Sequence, residues 1–429
     1  MHASINDPEL RSFAPASAES HFPIQNLPYG VFRPKGGGEP RVGVAIGEQV
    51  LDLALLEAKR LLDVPALTGR EVFNRSSLNA FMALGKDAWS QVRARISELL
   101  RDDTPMLRDN AALREKAFLK QSDVAMLPPI EIGDYTDFYS SRYHAANVGS
   151  LFRDPESALP PNWLHLPIAY HGRASSVVLS GTDIRRPLGQ TMPEGAKTPV
   201  FGPSRAFDFE LEMGYIVGTG NELGSAISVE QAADHVFGMV LVNDWSARDI
   251  QRWEYAPLGP FLSKNLGTSI SPWVVTMEAL APFAASGCEQ EPTPLPYLRS
   301  PGNPTYDVNL EVWLQPAEGE PRRISASNLR HMYWNIRQQI AHHTVGGCNL
   351  QTGDLLATGT ISGPTPDSLG CLLEITRGGR EPLQLGDGVA RRFLDDGDRI
   401  TLTGWAQGDG YRVGFGECTG RVLPAREQL

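Results

Sequence analysis

From Glu131 to the C-terminus the chain is a succession of short runs that are apolar or alternate apolar with polar. Among them are SSVVLSGTDI, FELEMGYIVG, VFGMVLVND, SPWVVTME, DVNLEVWLQ, GDLLATGT, CLLEITR and DRITLTGWA, each broken off by glycine or proline. Many short strands at close spacing make a sandwich, a barrel or a roll. Two helices are expected among them. One starts near Ser246 in NDWSARDIQRWEY, and one runs through SNLRHMYWNIRQQIAHH, where Leu329, Met332, Tyr333, Ile336 and Ile340 form an apolar stripe.

The part before Glu131 differs. Its first ~25 residues are polar and without a strong period, so they form an arm or lie along a surface. PYGVF, PRVGVAIG and QVLDLALL read as short strands around the turn KGGGEP. A helix follows, with Ser77 as a candidate cap and Trp89, Val92, Ile96, Leu99 and Leu100 at helical spacing. The division expected is a small domain of strands and helices over 1–128 and a larger, mainly β domain over 129–429. No repeat of fixed period is present.

Charge and cysteine usage exclude some classes of function. Fifty acidic residues stand against 39 Lys and Arg, a net charge of -11. That argues against binding driven by phosphate neutralisation on nucleic acid and against docking on anionic membranes. A small anionic substrate is compatible, since a few cations can dominate one pocket. Cys288, Cys348, Cys371 and Cys418 are far apart with no C-x-x-C pair, which reads as buried free thiols in a reducing compartment. MHASINDPELRSF has no basic region followed by an apolar run, and VFGMVLV is far too short to span a bilayer. A cytoplasmic location is expected.

The stretch DFELEMGY places Asp208, Glu210 and Glu212 at alternate positions. On a strand such side chains share a face roughly 7 Å apart, and at an effective dielectric of about 20 two carboxylates there repel by about 2 kcal/mol. Either the face is solvated, or Glu210 and Glu212 hold one hard divalent cation between them, with Asp208 a third ligand or an exposed end. Asp244 ends another apolar run, where Ser246 and Asp249 make an S-x-x-D capping pattern. On the following helix Arg248, Gln251 and Tyr255 fall on one polar face, either a pocket wall or a solvated surface. DYTDFYSSRYHAANVGSLFR gathers Asp134, Asp137, Tyr139, Arg142, His144 and Arg153, and His144 is a candidate general base. His342 and His343 are read as a helix end, and DDGD at 395–398 as a hairpin turn.

Several long strings taken together, IGDYTDFYSSR, NWLHLP, YHGRASSVV, ELEM, NDWSARDIQ, PLGPFL and GDLLATGTISGP, resemble the fumarylacetoacetase family. The likeness runs from NLPYGVF to GECTGRVLPA. It implies an N-terminal SH3-like β-barrel domain, a C-terminal mixed β-sandwich roll and a homodimer. It implies a Ca²⁺ or Mg²⁺ site made by Asp137, Glu210, Glu212 and Asp244, and a second, structural cation near Asp244, Lys264 and Thr268. By the same resemblance His144 is the base, Glu374 its orienting acid, and Arg248, Gln251 and Lys264 the oxyanion donors. Tyr139, Arg153, Gln251, Tyr255 and Thr360 then contact substrate, with Tyr170 a further candidate. The implied reaction is hydrolysis of a carbon–carbon bond in a dianionic diketo acid, fumarylacetoacetate, to fumarate and acetoacetate, which ends tyrosine and phenylalanine breakdown. Two alternatives stand beside it: a related β-diketone hydrolase or β-keto acid decarboxylase of the superfamily, and a non-catalytic, Ca²⁺-stabilised dimeric scaffold.

Overall fold

The computed structural model describes residues 5–152, 154–386 and 388–427. In the N-terminal part, β1 (Tyr29–Pro34), β2 (Arg41–Ile46), β3 (Gln49–Asp52), β4 (Phe118–Lys120) and β5 (Val124–Leu127) form an antiparallel sheet in the order β4-β3-β2-β1-β5. The long helix α1 (Lys86–Leu100) buries Trp89, Val92, Ile96, Leu99 and Leu100, the stripe expected from spacing. It starts nine residues after Ser77, behind Gly85, so Ser77 does not cap it. The opening segment is no free arm: Leu10, Ala14, Phe22, Ile24 and Leu27 are all buried.

The C-terminal part carries, in chain order, β6 (Tyr135–Phe138), α2 (Arg142–Phe152), β7 (Ala169–Gly172), β8 (Val177–Leu179), β9 (Leu211–Val217), β10 (Val236–Asp244), α3 (Arg248–Glu254), β11 (Thr268–Ile270), β12 (Asn309–Gln315), β13 (Arg322–Asn328), α4 (Ile336–Thr344), β14 (Leu355–Ala357), α5 (Leu372–Ile375), β15 (Arg399–Gln407) and β16 (Arg412–Leu423). One sheet runs β7-β6-β14-β9-β10-β11-β8, and the other runs β13-β12-β15-β16 and ends on Ile184–Arg185.

β9 and β10 are buried along their whole length, which explains the unbroken apolar run 236–242 of β10. Met213, Tyr215, Met239 and Leu241 pack with Leu310, Val312, Leu402 and Val413 of the second sheet. Ile216, Val240 and Val242 pack instead with Val31, Val42 and Phe81 of the N-terminal part. The first sheet is therefore the middle layer, and alternate side chains serve two cores. By contrast β12 and β15 alternate buried and half-buried residues, having only one covered face. The seam between the two parts is tight. Tyr29 and Val274 exchange both backbone hydrogen bonds, and a Cβ on Gly30 would lie 2.6 Å from the ring of Trp273.

Three sequence expectations fail locally. CLLEITR contains the short helix α5, not a strand, because Leu372 and Leu373 donate their N–H groups to Asp208. The last expected helix is helical only over Ile336–Thr344, where Asn335 and Gln338 form a capping box; Leu329–His331 is a single 3-10 turn. Of the four thiols, Cys371 and Cys418 are buried but Cys348 is exposed. Among the described residues no helix is long and apolar enough to cross a membrane.

Candidate active site

The strand pairings bring one end of the first sheet into register. Asp137 near the end of β6 lies opposite Ala357 of the parallel strand β14, and Asp244 at the end of β10 lies opposite Thr268. Glu212 stands near the start of β9, which runs antiparallel to both β10 and β14. Chain ends and starts thus meet at the same rim. There Asp137, Glu210, Glu212 and Asp244, all buried, bring ligand oxygens within 4.8 Å of one another.

Protein donors cover most of these oxygens. The ammonium of Lys264 bridges Glu210 and Asp244 Oδ2, the latter at 2.7 Å. Asp244 also accepts from the Tyr170 hydroxyl at 2.9 Å and the Thr268 hydroxyl at 3.0 Å. Arg248 Nη1 lies 2.7 Å from Glu210 Oε1. The N–H of Gly359 reaches Asp137 Oδ1 at 3.1 Å and Glu212 Oε2 at 3.2 Å. That approach needs glycine: φ is +76°, and a Cβ would sit 2.2 Å from the Phe138 carbonyl oxygen.

Charge is shared unevenly. Burial alone would raise the Glu210 carboxyl, but Lys264 and Arg248 outweigh it and hold the group well below its usual range. Among the described residues Lys264 and Arg248 pair with Glu210 and Asp244, and none pairs with Asp137 or Glu212. Burial, reinforced by the neighbouring carboxylates, pushes both well above the ordinary carboxyl range. Among the described residues Glu212 Oε1 is buried and has no hydrogen-bond partner. A buried carboxylate oxygen left bare beside a second carboxylate that lacks a counter-charge fits a divalent cation with oxygen ligands.

The solvated-face reading of DFELEMGY is thereby excluded, since Asp208, Glu210 and Glu212 are 0%, 4% and 0% exposed. The clustered acids are Asp137, Glu210, Glu212 and Asp244, whereas Asp208 belongs to a separate short strand pair. Its Oδ1 accepts from Phe209 N and Leu372 N, and its Oδ2 from Leu373 N and Arg248 Nε. One carboxylate thus fixes both α5 and the guanidinium that serves Glu210. Asp208→Ala is expected to destabilise the fold by about 3–5 kcal/mol, because Arg248 Nε and the N–H groups of Leu372 and Leu373 lose their buried acceptor, although Arg248 keeps Glu210 as a counter-charge. Urea denaturation of the metal-replete protein measures it, and a loss below about 1 kcal/mol would contradict this role.

Beside the carboxylates sits a second buried group. His144, on the first turn of α2, has Nδ1 2.7 Å from Glu374 Oε2. Asn147, one turn further along α2, donates to Glu374 Oε1 at 2.8 Å. Ser362 Oγ at 2.8 Å and Cys371 Sγ at 3.2 Å complete the ring around Oε2. Burial would raise the Glu374 carboxyl, yet His144, Asn147 and Ser362 bring it below its usual value. An ionised Glu374 keeps the imidazole proton on Nδ1 and leaves Nε2 as the basic nitrogen. The ring of Tyr139 stands edge-on to His144 with centroids 5.3 Å apart.

Most residues named from the sequence therefore meet here. Gln251 joins through Arg248 Nη1 at 3.2 Å. Thr360 Oγ1 and Arg248 Nη2 are buried with no partner among the described residues, donors available to a ligand. Tyr255 ends α3 and is 58% exposed, so it is not enclosed with the others. Arg153 lies outside the described residues. Ser246 bonds the Asp244 carbonyl and does not cap α3; Asp249 instead holds Ser204 Oγ and Arg205 N. His343 ends α4 as expected, but its Nε2 contacts Thr136 Oγ1 at 2.9 Å. The residue pattern does not mark Asn147, Ser362 or Gly359 as site residues, and Cys371 reads there only as a buried thiol. The one available signal was spacing: Asn147 is i+3 from His144 and Cys371 is i−3 from Glu374.

An imidazole base held by a buried acid, with orphan donors and a cation-ready carboxylate cluster alongside, is suited to adding water to a polarised carbonyl. The chain is accordingly a hydrolytic enzyme in class. Comparison with known proteins carries this further. The family described as fumarylacetoacetate (FAA) hydrolase C-terminal matches residues 135–423, and that described as fumarylacetoacetase N-terminal matches 25–129. The chain belongs to the fumarylacetoacetase family. It is 57% identical over 417 residues to the fumarylacetoacetase of Bos taurus, covering 96% of this chain and 99% of that one. It is 55% identical to those of Arabidopsis thaliana and Homo sapiens, with coverage of 97% and 96% of this chain and 99% of each relative. Among solved structures, the fumarylacetoacetate hydrolase of psychrophilic Exiguobacterium antarcticum aligns with a TM-score of 0.52 at 19% identity, over 93% of this chain and all of that one. That likeness bears on the fold alone.

Proposed function

We propose that this chain hydrolyses fumarylacetoacetate to fumarate and acetoacetate. The observation that carries the reading is the buried His144–Glu374 pair set beside the four carboxylates, in a chain 57% identical to a fumarylacetoacetase over nearly its full length. His144 Nε2 takes a proton from water, and the oxygen adds to the ketone carbon. Glu374 holds the Nδ1 proton and steadies the imidazolium that forms. Arg248 Nη2, Lys264 and Gln251 donate to the developing alkoxide; one such donor is typically worth about 3–4 kcal/mol of barrier. The carbon–carbon bond then breaks, fumarate leaves with the former ketone carbon as its carboxyl, and the acetoacetate carbanion takes up a proton. Arg153 and Tyr139 bind the terminal carboxylate of the dianion, and Thr360 and Tyr255 complete the substrate contacts.

Asp137, Glu210, Glu212 and Asp244 would hold a Ca²⁺ or Mg²⁺ ion. When bound it supplies Lewis-acid stabilisation of the enolate. The bare Glu212 Oε1 supports this assignment. A second cation near Asp244 would draw on backbone carbonyls, because Lys264 and Thr268 already donate to that carboxylate. Tyr170 serves the same carboxylate. We further propose two domains meeting near residue 128, a cytoplasmic homodimer, and a role at the end of tyrosine and phenylalanine breakdown. Exposed Trp253, Leu258 and Phe261, close together in sequence, support burial against a second chain. The decarboxylase alternative leaves the His144–Glu374 pair without a task, since it needs no activated water.

The test is decay of fumarylacetoacetate absorbance before and after EDTA, with Ca²⁺ or Mg²⁺ restored. Activity is expected to fall at least ~100-fold and return, with both acids as products, in line with the several kcal/mol a bound Lewis acid contributes. No hydrolysis by protein shown to contain metal would overturn the reading, and turnover of oxaloacetate in its place would favour the decarboxylase.

A further inference from the structure

The ring of groups around Glu374 contains a combination that hydrolysis does not use. His144, Cys371 and Glu374 are all buried and offer a nitrogen, a sulfur and an oxygen within 4.8 Å of one another. Cys371 is 0% exposed, and its sulfur lies 3.2 Å from Glu374 Oε2. The four-carboxylate cluster offers oxygen only, which suits hard ions. A set of imidazole, thiolate and carboxylate suits Zn²⁺ and Cd²⁺. We infer that His144, Cys371 and Glu374 form a second, thiophilic metal site whose occupation inhibits the enzyme.

The geometry needs small adjustments. Metal–ligand bonds of about 2.0–2.3 Å place tetrahedral ligand atoms roughly 3.3–3.7 Å apart. The present spacings of 2.7 Å from His144 Nδ1 and 3.2 Å from Cys371 Sγ to the shared carboxylate oxygen must each open by about half an ångström. Ser362 Oγ, 2.8 Å from the same oxygen, or a water fills the fourth position.

Protons and charge balance. On binding, the imidazole proton moves from Nδ1 to Nε2, so His144 stays neutral. The thiol releases one proton to solvent. One carboxylate and one thiolate then neutralise the divalent ion, which removes the penalty that otherwise attends a buried charge. The same proton shift explains inhibition, because Nε2 becomes a donor and can no longer accept a proton from water.

The inhibitory part rests on the proposed hydrolysis; the binding part does not. The experiment titrates the full-length protein, kept in excess Ca²⁺, with Cd²⁺, and reads both the ultraviolet thiolate-to-cadmium charge-transfer band and the rate of fumarylacetoacetate decay. Wild type is expected to show one thiolate–cadmium band per chain beyond Cys371→Ser, and a rate at least tenfold lower at saturation. Cys371→Ser, compared with its own cadmium-free rate, is expected to need at least tenfold more Cd²⁺ for the same loss. Cys371→Ala serves if the serine variant does not fold, and Cys348→Ser accounts for the exposed thiol. Equal bands in wild type and the Cys371 variants would overturn the site. A band without loss of rate would overturn its inhibitory role. Absence of turnover even without cadmium would instead strike the proposed function, and the band would still decide whether the site exists.

Discussion

His144→Ala is expected to lower kcat for fumarylacetoacetate by roughly 100- to 10,000-fold, the range that a positioned general base contributes. Metal content should not change, because the four oxygen ligands do not include His144. Folding should survive as well. Glu374 loses one donor but keeps Asn147 on Oε1 and Ser362 and Cys371 on Oε2, so no oxygen of this buried carboxylate is orphaned. The loss of stability should stay within about 1–3 kcal/mol. Steady-state kinetics, elemental analysis and a thermal melt on one preparation check all three. A rate within threefold of wild type would remove His144 from the mechanism. Loss of the bound ion in this variant would place the imidazole among the metal ligands instead.

Why some of this site could be read from the sequence and some could not follows from distance along the chain. Glu210 and Glu212 stand out because a strand puts alternate side chains on one face, a property two residues long. The same rule fails for Asp208. The chain leaves the strand at Phe209–Glu210, and Asp208 is claimed by partners 40 and 164 residues away. Nothing local reports such partners. α5 reads as a strand for the same reason: four apolar-rich residues carry no period of their own, and the carboxylate that caps them comes from elsewhere. Arg248 was placed on a polar helix face by spacing alone, and that face does meet the site, although the cap proposed for its helix does not exist. The donors around Glu374 are a still harder case. Asn147 and Ser362 are ordinary residues in ordinary positions until a fold brings Glu374 between them. The architecture is more legible, because a strand buried on both faces, like β10, shows itself as an unbroken apolar run.

Glu212→Gln is the substitution that should most cleanly separate metal binding from folding. It changes one buried oxygen to an amide nitrogen at nearly constant volume, at the position whose Oε1 has no partner among the described residues. Metal affinity is expected to fall at least ~100-fold, and hydrolysis with it, because an amide contributes no charge to a hard-ion site. The apo protein should respond in the opposite sense. Without metal, burial and mutual repulsion hold Asp137 and Glu212 above their unfolded values of 3.8 and 4.5. In the window from those unfolded values up to the raised folded ones, the folded state binds more protons than the unfolded state. Stability in EDTA therefore falls as pH rises through that window. Each unit of displacement corresponds to about 1.4 kcal/mol. Glu212→Gln removes one carboxyl and its repulsion, so its EDTA stability should be less dependent on pH and equal to or above that of wild type near neutrality. Saturating Ca²⁺ should stabilise wild type by about 2.7 kcal/mol at 100 times the dissociation constant and leave the variant almost unmoved. Melting curves from pH 5 to 8, with EDTA and with Ca²⁺, give all of these comparisons. An apo variant much less stable than wild type would mean that Glu212 supports the fold directly, and that its bare oxygen is not waiting for an ion.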